Sequence, residues 1–293
     1  MSDLPLVSVV TPSLNHGRFI RETIESVLTQ SYPRIEYLGM DGGSTDETVE
    51  ILKSYGDRLA WVSEPDGGQT QAINKGWRRT RGRIIAYLNS DDTYLPGAVG
   101  RAVAAFATDP HAGAVYGEGY HVDAAGGVIE RYPTEPFDMG RLATTCFICQ
   151  PTVFLRRDVV DTLGYLDESC RYCMDYDLWI RIARVSPFVH VPEYLANTRV
   201  HSATVTDALR GSVHAEILDT VHRHFGRVSS QWVYGYACAV LRHHPRGTRW
   251  ADRRFALRLV SVSLRTFVRY RSPVPRSEWR QWVRFIRHNL RQP

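Results

Sequence analysis

Ile84-Ile85-Ala86-Tyr87-Leu88-Asn89-Ser90-Asp91-Asp92 passes from five apolar side chains directly into two adjacent carboxylates. A short apolar run bounded by turn residues reads as a buried strand, which puts both acids at its carboxyl end. Three runs upstream have the same form. Residues 7–11, 35–40 and 59–63 are strand-like, and each leads into a polar turn: Thr11-Pro12-Ser13-Leu14-Asn15, Asp41-Gly42-Gly43-Ser44 and Glu64-Pro65-Asp66-Gly67-Gly68. Helical periodicity fills the gaps, over 18–29, 46–55 and 70–79. This β-α-β-α succession predicts an α/β fold, a mainly parallel sheet flanked by helices. Ligands of such sheets bind beyond the carboxyl ends of the strands, where all four turns collect.

Downstream the pattern is mixed. A helix is predicted over 97–108, strands near 114–120, 149–155 and 194–200, and helices over 158–163 and from 175 onward. Beyond about 206 every segment reads as helical: 207–225, 230–241, 251–270 and 277–290. Charge divides the chain at the same place. Residues 1–206 carry 19 Lys and Arg against 26 Asp and Glu, and residues 207–293 carry 17 Arg against 5 Asp and Glu. We therefore expect a catalytic domain over 1–206 and a basic helical C-terminal extension over 207–293.

A hydrophobic content of 43% in 293 residues argues against disorder throughout. No basic n-region or small-residue cleavage site precedes the first strand, so no secretory signal is expected. The apolar stretch 255–268 is interrupted by Arg258 and Arg265, which argues against a membrane span. Five cysteines suggest no disulfide framework. The spacing Cys146-x-x-Cys149 and Cys170-x-x-Cys173 is near a zinc pattern, but the first pair lies in the strand-like run 144–155, where alternate side chains diverge.

Two carboxylates side by side repel unless a cation joins them, and hard oxygen ligands favour Mg²⁺ or Mn²⁺ bridging to phosphate. The competing reading of Asp91-Asp92 is one helix cap and one solvated acid. For Asp46, in Asp41-Gly-Gly-Ser-Thr-Asp46, capping is the better reading. Three acidic turns along one sheet edge exceed what capping needs.

Val9-Val-Thr-Pro-Ser13, Asp41-Gly-Gly-Ser-Thr-Asp46, Ser63-Glu-Pro-Asp-Gly-Gly68, Ala72-Ile-Asn-Lys-Gly76, Leu88-Asn-Ser-Asp-Asp92, Asp175-Tyr-Asp-Leu-Trp179 and Arg199-Val-His201 occur in this order. Together they resemble the family 2 glycosyltransferases of GT-A fold over roughly residues 5–206. The resemblance implies an inverting enzyme that takes a sugar from a nucleotide-sugar donor, using a divalent metal, Mn²⁺ or Mg²⁺. It implies donor contacts from Thr11, Pro12, Asp41, Asp66 and Asp91, with metal ligation by Asp92 and His201. Many members have two acids after the second strand, where this chain has Asp41-Gly42. The catalytic base implied is Asp175, in a motif where relatives have Glu-Asp and this chain has Met174-Asp175. Gln150, Asp177 and Trp179 are the acceptor-side candidates. Asp177 also reads as a helix-start acid favoured by the macrodipole, Trp179 as core, Gln150 as a strand edge, and His201 as a structural hydrogen-bonding residue.

In the last helix Trp279, Trp282, Val283, Ile286 and Leu290 share one face, beside a stripe of Arg276, Arg280, Arg284, Arg287 and Arg291. That pattern suits an interfacial helix on an anionic membrane surface, and equally packing onto protein. With membrane contact, a lipid-linked or glycan acceptor and a peripheral place on the cytoplasmic face of the cell membrane follow. The arginines also admit nucleic-acid binding, which the ordered acidic turns oppose as the main function. A nucleotidyltransferase would show a Gly-rich basic loop after its first strand, and Thr11-Pro-Ser-Leu-Asn15 is not one.

Overall fold

A computed structural model describes residues 4–201, 209–241 and 249–291 of the chain. These group into two compact units, Met1–Phe137 with Phe147–His201, and Asp138–Cys146 with Ser202–Pro293.

The first unit is a curled, mostly parallel sheet flanked by helices, as the sequence pattern predicts. The strands are β1 (Val7–Ser13), β2 (Ile35–Asp41), β3 (Ala60–Ser63), β4 (Ile84–Tyr87), β5 (Thr93–Tyr94), β6 (Ala114–Val122), β7 (Val128–Arg131), β8 (Phe154–Arg156) and β9 (Phe188–Arg199). They lie in the order β3-β2-β1-β4-β8-β6-β9-β5, with β7 beside β6. β3, β2, β1 and β4 run parallel, as do β6 and β9, while β8 is inserted antiparallel between the two groups. β1 is buried at every residue, which is why it reads as a continuous apolar run.

Helices α1 (Gly17–Leu28), α2 (Thr48–Ser54), α3 (Gln69–Arg79) and α4 (Ala98–Thr108) form the crossovers. α1 turns Ile20, Ile24 and Val27 inward, joining Val7, Val9, Leu52 and Val99 in one core. α3 approaches β1 closely because Gly76 has no side chain. A Cβ there would stand 2.5 Å from Val10 Cγ1. α5 (Met139–Leu142) belongs to the second unit, and the first continues with α6 (Arg157–Leu163) and α7 (Met174–Ala183).

The strand expected over 149–155 is only partly one. Gln150–Thr152 form a 3₁₀ turn with Pro151 inside it, and the extended segment is Phe154–Arg156. The second unit has α8 (Arg210–Phe225), α9 (Ser230–Leu241), α10 (Arg249–Arg269) and α11 (Arg276–Arg291). Its core joins Leu218, Val228, Val233, Val260, Phe267 and Trp282. Among the described residues no helix is long and apolar enough to cross a membrane.

Candidate functional site

The four turns after β1–β4 meet at one edge of the sheet, and hydrogen bonds join them. Asn15 Oδ1 accepts from Thr45 N at 2.8 Å, and Gly42 N donates to Ser13 O at 2.8 Å. Gln69 Nε2 donates to Asn89 Oδ1 at 2.6 Å. The Asn89 amide in turn donates to Asp92 Oδ2 and to Gln150 Oε1, each at 3.2 Å. Gln150, expected on the acceptor side, is thus tied to the Asn89–Asp92 turn, and its own amide donates to Tyr87 O at 3.1 Å.

The two adjacent aspartates face different surroundings. Asp92 is 3% exposed; its Oδ1 accepts the Arg199 N–H at 2.9 Å and its Oδ2 accepts from Asn89. Burial, and then the Asp91 charge, push the Asp92 carboxyl well above the usual carboxylate range, against the pull of the Arg199 and Asn89 donors. Asp91 instead extends its Oδ2 to within 3.1 Å of His201 Nε2, with side-chain exposures of 15% and 9% for the aspartate and histidine. His201 therefore meets Asp91. Asp92, expected with His201 as a metal ligand, is met by Arg199, whose position on β9 brings a backbone donor onto it from 107 residues away.

Arg199 had no role in the sequence reading, although it opens the Arg199-Val-His201 string. Its buried guanidinium donates to Asp91 O at 2.9 Å and Ala124 O at 3.1 Å, pairs with Glu22, and lies 5.0 Å above the Phe19 ring. His16 was missed too. Its Nδ1 is 2.7 Å from Ser90 Oγ, and its ring centre is 6.5 Å from that of His201.

The expected donor contacts divide into inward and outward groups. Asp41 is 1% exposed and enclosed by its own turn: Oδ2 accepts from Gly43 N, Ser44 N and Ser63 Oγ at 3.1, 2.9 and 2.6 Å, while Oδ1 accepts from Ser44 Oγ. It shapes the turn from within. Thr11 Oγ1 is paired with Tyr37 Oη at 2.9 Å in the core, and Pro12 is buried. Asp66 remains partly exposed, with Oδ1 accepting from Gly68 N at 2.8 Å. Its Oδ2 lies 3.3 Å from where a Cβ on Gly42 would be, so glycine lets the second and third turns close on one another. Asp46 accepts from Gly17 N and Thr48 N at 2.9 and 3.0 Å, so it ties the starts of α1 and α2 together; the N-cap position of α2, expected at Asp46, falls on Glu47.

The family model for glycosyl transferase family 2 matches residues 8–164. The chain belongs to this family. An uncharacterized glycosyltransferase of Rickettsia prowazekii is 30% identical over 216 residues, 69% of this chain and 66% of that protein. A chondroitin synthase of Escherichia coli is 31% identical over 202 residues, 68% of this chain but only 29% of the synthase, so the likeness covers a minor part of that longer enzyme. Two solved structures share the fold at low identity. A Pyrobaculum calidifontis mannosyltransferase bound to GDP-Man and Mn²⁺ superposes with a TM-score of 0.62 at 18% identity, covering 99% of this chain and 87% of that one. TarS 1–349 of S. aureus with UDP-GlcNAc gives 0.58 at 17%, covering 87% and 81%.

In this family 2 chain the acceptor-side candidates separate as sharply as the aspartate pair. Asp175, in the first turn of α7, is partly exposed, and its Oδ1 accepts the Tyr176 N–H at 2.7 Å. Asp177 is 2% exposed and pairs with Arg181 at 2.8 Å, and Arg181 also donates to Leu163 O and Tyr165 O. Trp179 is 2% exposed in the core. Neither can line an open acceptor groove: the first is a structural ion pair and the second a packing residue. Among the described residues no three His, Cys, Asp or Glu side chains form a metal cluster, and Cys149, Cys170 and Cys173 are buried.

Proposed function

We propose that the chain is an inverting glycosyltransferase that moves a sugar from a nucleoside-diphosphate donor to a hydroxyl of a glycan or lipid-linked acceptor, in cell-surface polysaccharide synthesis. Residues 1–206 are proposed as its catalytic domain and 207–293 as its extension. The observation that carries this reading is the Asp91–His201 pair at the sheet edge, beside the partly exposed Asp66 turn.

A carboxylate oxygen and an imidazole nitrogen 3.1 Å apart are a ready donor pair for a divalent metal, and the nitrogen favours Mn²⁺ over Mg²⁺. Asp91 and His201 would hold the ion. Asp92, the other expected ligand, accepts the backbone N–H of Arg199, two residues before His201, and so helps fix where that histidine stands. When bound, the metal would stabilise charge growing on the departing diphosphate. Asp66 is assigned to the nucleoside. Thr11, Pro12 and Asp41 contribute through the backbone they hold in place.

Inversion by a single displacement requires the acceptor hydroxyl to approach opposite the diphosphate. A separate carboxylate must take its proton. Asp175 has the exposure for that task, whereas Asp177 is committed to Arg181. A peripheral position on the cytoplasmic face of the cell membrane is part of the same reading. The test is a panel of nucleotide sugars scored by thermal shift with and without Mn²⁺. A metal-dependent shift for one donor is expected, and no shift with any donor would overturn the reading.

A further inference from the structure

The sequence pattern admits both membrane contact and packing for the last helix, α11, and the second unit uses part of it in packing. Trp282 is 8% exposed, with its ring 6.4 Å from that of Phe267, so part of the apolar face of α11 is used in the core. Ile286, Arg287, Leu290 and Arg291 have side chains outside the described residues.

Trp279 and Val283 of α11 are still exposed, and a larger exposed apolar face, interleaved with arginines, lies on α9 and α10. Between these helices runs a groove of about 260 Å³ whose lining includes Tyr236, Val240, Val262, Arg265 and Arg269. Val268 is 76% exposed, Leu257 55% and Val240 45%. Leu257, Arg265 and Val268 share one side of α10 by helical spacing, and Arg258, Val262, Arg265 and Arg269 the adjoining side. The result is a band of guanidinium groups interleaved with aliphatic side chains. α9 carries no acid at all. Among the described residues Arg265 and Arg269 form no ion pair, although Arg269 lies 5.4 Å from the Tyr270 ring.

We propose that this α9–α10 face docks on the anionic phospholipid headgroups of a bilayer, with a lipid phosphate between Arg265 and Arg269 and with Val240, Leu257 and Val268 entering the interfacial layer. Guanidinium groups pair bidentately with phosphate oxygens, and their aliphatic stems lie along apolar surface while the charge stays wet. Aliphatic side chains between arginines gain from such an interface and gain nothing from a nucleic-acid backbone in water, which favours the membrane over RNA or DNA. The inference sharpens the peripheral placement proposed above but stands apart from the transfer reaction: a chain with no transferase activity would dock in the same way.

The experiment is sedimentation of the full chain with vesicles of phosphatidylglycerol and phosphatidylcholine, against phosphatidylcholine alone. Binding is expected only to the anionic vesicles. R265Q/R269Q should lower it roughly thirtyfold, from the contribution of two basic residues near an anionic surface. V268D should also lower it. All three positions are exposed, so melting temperatures should stay near wild type and certify folding. Inorganic phosphate should compete poorly, because it lacks the apolar part of the contact. Unchanged vesicle binding by R265Q/R269Q would overturn the proposal. So would loss on W279A with retention in R265Q/R269Q, equal binding to neutral vesicles, full competition by inorganic phosphate, or RNA binding of equal strength. A change confined to oligomeric state would show the face to be a contact between copies and would overturn it as well.

Discussion

His201 Nε2 lies 3.1 Å from Asp91 Oδ2, at the end of β9 and just beyond β4 respectively. If that pair holds the metal, Asp91→Asn and His201→Ala should each remove the Mn²⁺-dependent part of donor affinity. Altering groups that only orient metal ligands already costs about 10–100-fold, so loss of a ligand should cost at least as much. Titration calorimetry with the donor, in Mn²⁺ and in EDTA, reads the difference directly. A wild-type Mn²⁺ increment in either variant would rule the ligand assignment out.

Asp92 is expected to act on stability instead. Its removal in Asp92→Ala leaves the buried Arg199 N–H without its acceptor, at a cost of about 1–3 kcal/mol, while the Asn89 amide keeps Gln150 Oε1. Denaturant melts in EDTA should show that loss for Asp92→Ala and little change for Asp91→Ala, whose carboxylate is nearer solvent. The opposite order would mean that the two aspartates had been assigned the wrong way round.

Local pattern made much of the first unit legible. β1 to β4 are short apolar runs, their turns are marked by Gly, Asp and Pro, and the helices between them have clear periodicity. What could not be read was which of two neighbouring groups turns inward. Asp91 and Asp92 are equivalent in sequence, and the choice is made by a backbone N–H on β9. Asp41 and Asp66 look alike as turn acids, yet Asp41 is closed in by Ser44 and Ser63 while Asp66 stays open. Antiparallel insertion was also hidden: β8 has three residues, too few for an alternation, and its place between β4 and β6 is set by tertiary pairing. In the tail, periodicity located the α11 stripe but could not show that Trp282 is used in packing.

Asp177 offers a test that separates structure from chemistry within one motif. Asp177→Ala leaves the Arg181 guanidinium without the carboxylate it holds at 2.8 Å. Breaking a buried pair from one side costs about 3–5 kcal/mol, and the partial exposure of Arg181 puts this case at the lower end. Urea unfolding should show the loss, with Asp177→Asn milder because its carbonyl oxygen can still accept from Nε. Full stability in Asp177→Ala would remove the ion pair as the reason for this aspartate.

Asp175, two residues earlier, should show the reverse behaviour. Its side chain lies in the first turn of α7, accepts the Tyr176 N–H and keeps partial exposure. Asp175→Asn preserves shape and hydrogen-bond acceptance at Oδ1 but cannot take a proton. General-base catalysis is worth about 10²–10⁴-fold in rate, and a loss of that order is expected in the transfer step. Donor affinity and its Mn²⁺ dependence should be unchanged, since the metal is assigned to Asp91 and His201 on the opposite side of the reacting sugar. Melting temperature should stay near wild type, in contrast to Asp177→Ala. The decisive measurement sets transfer rate beside donor affinity for the same Asp175→Asn preparation, with an identified acceptor. Near-normal turnover would exclude Asp175 as the base, and a parallel fall in donor affinity would place it on the donor side instead.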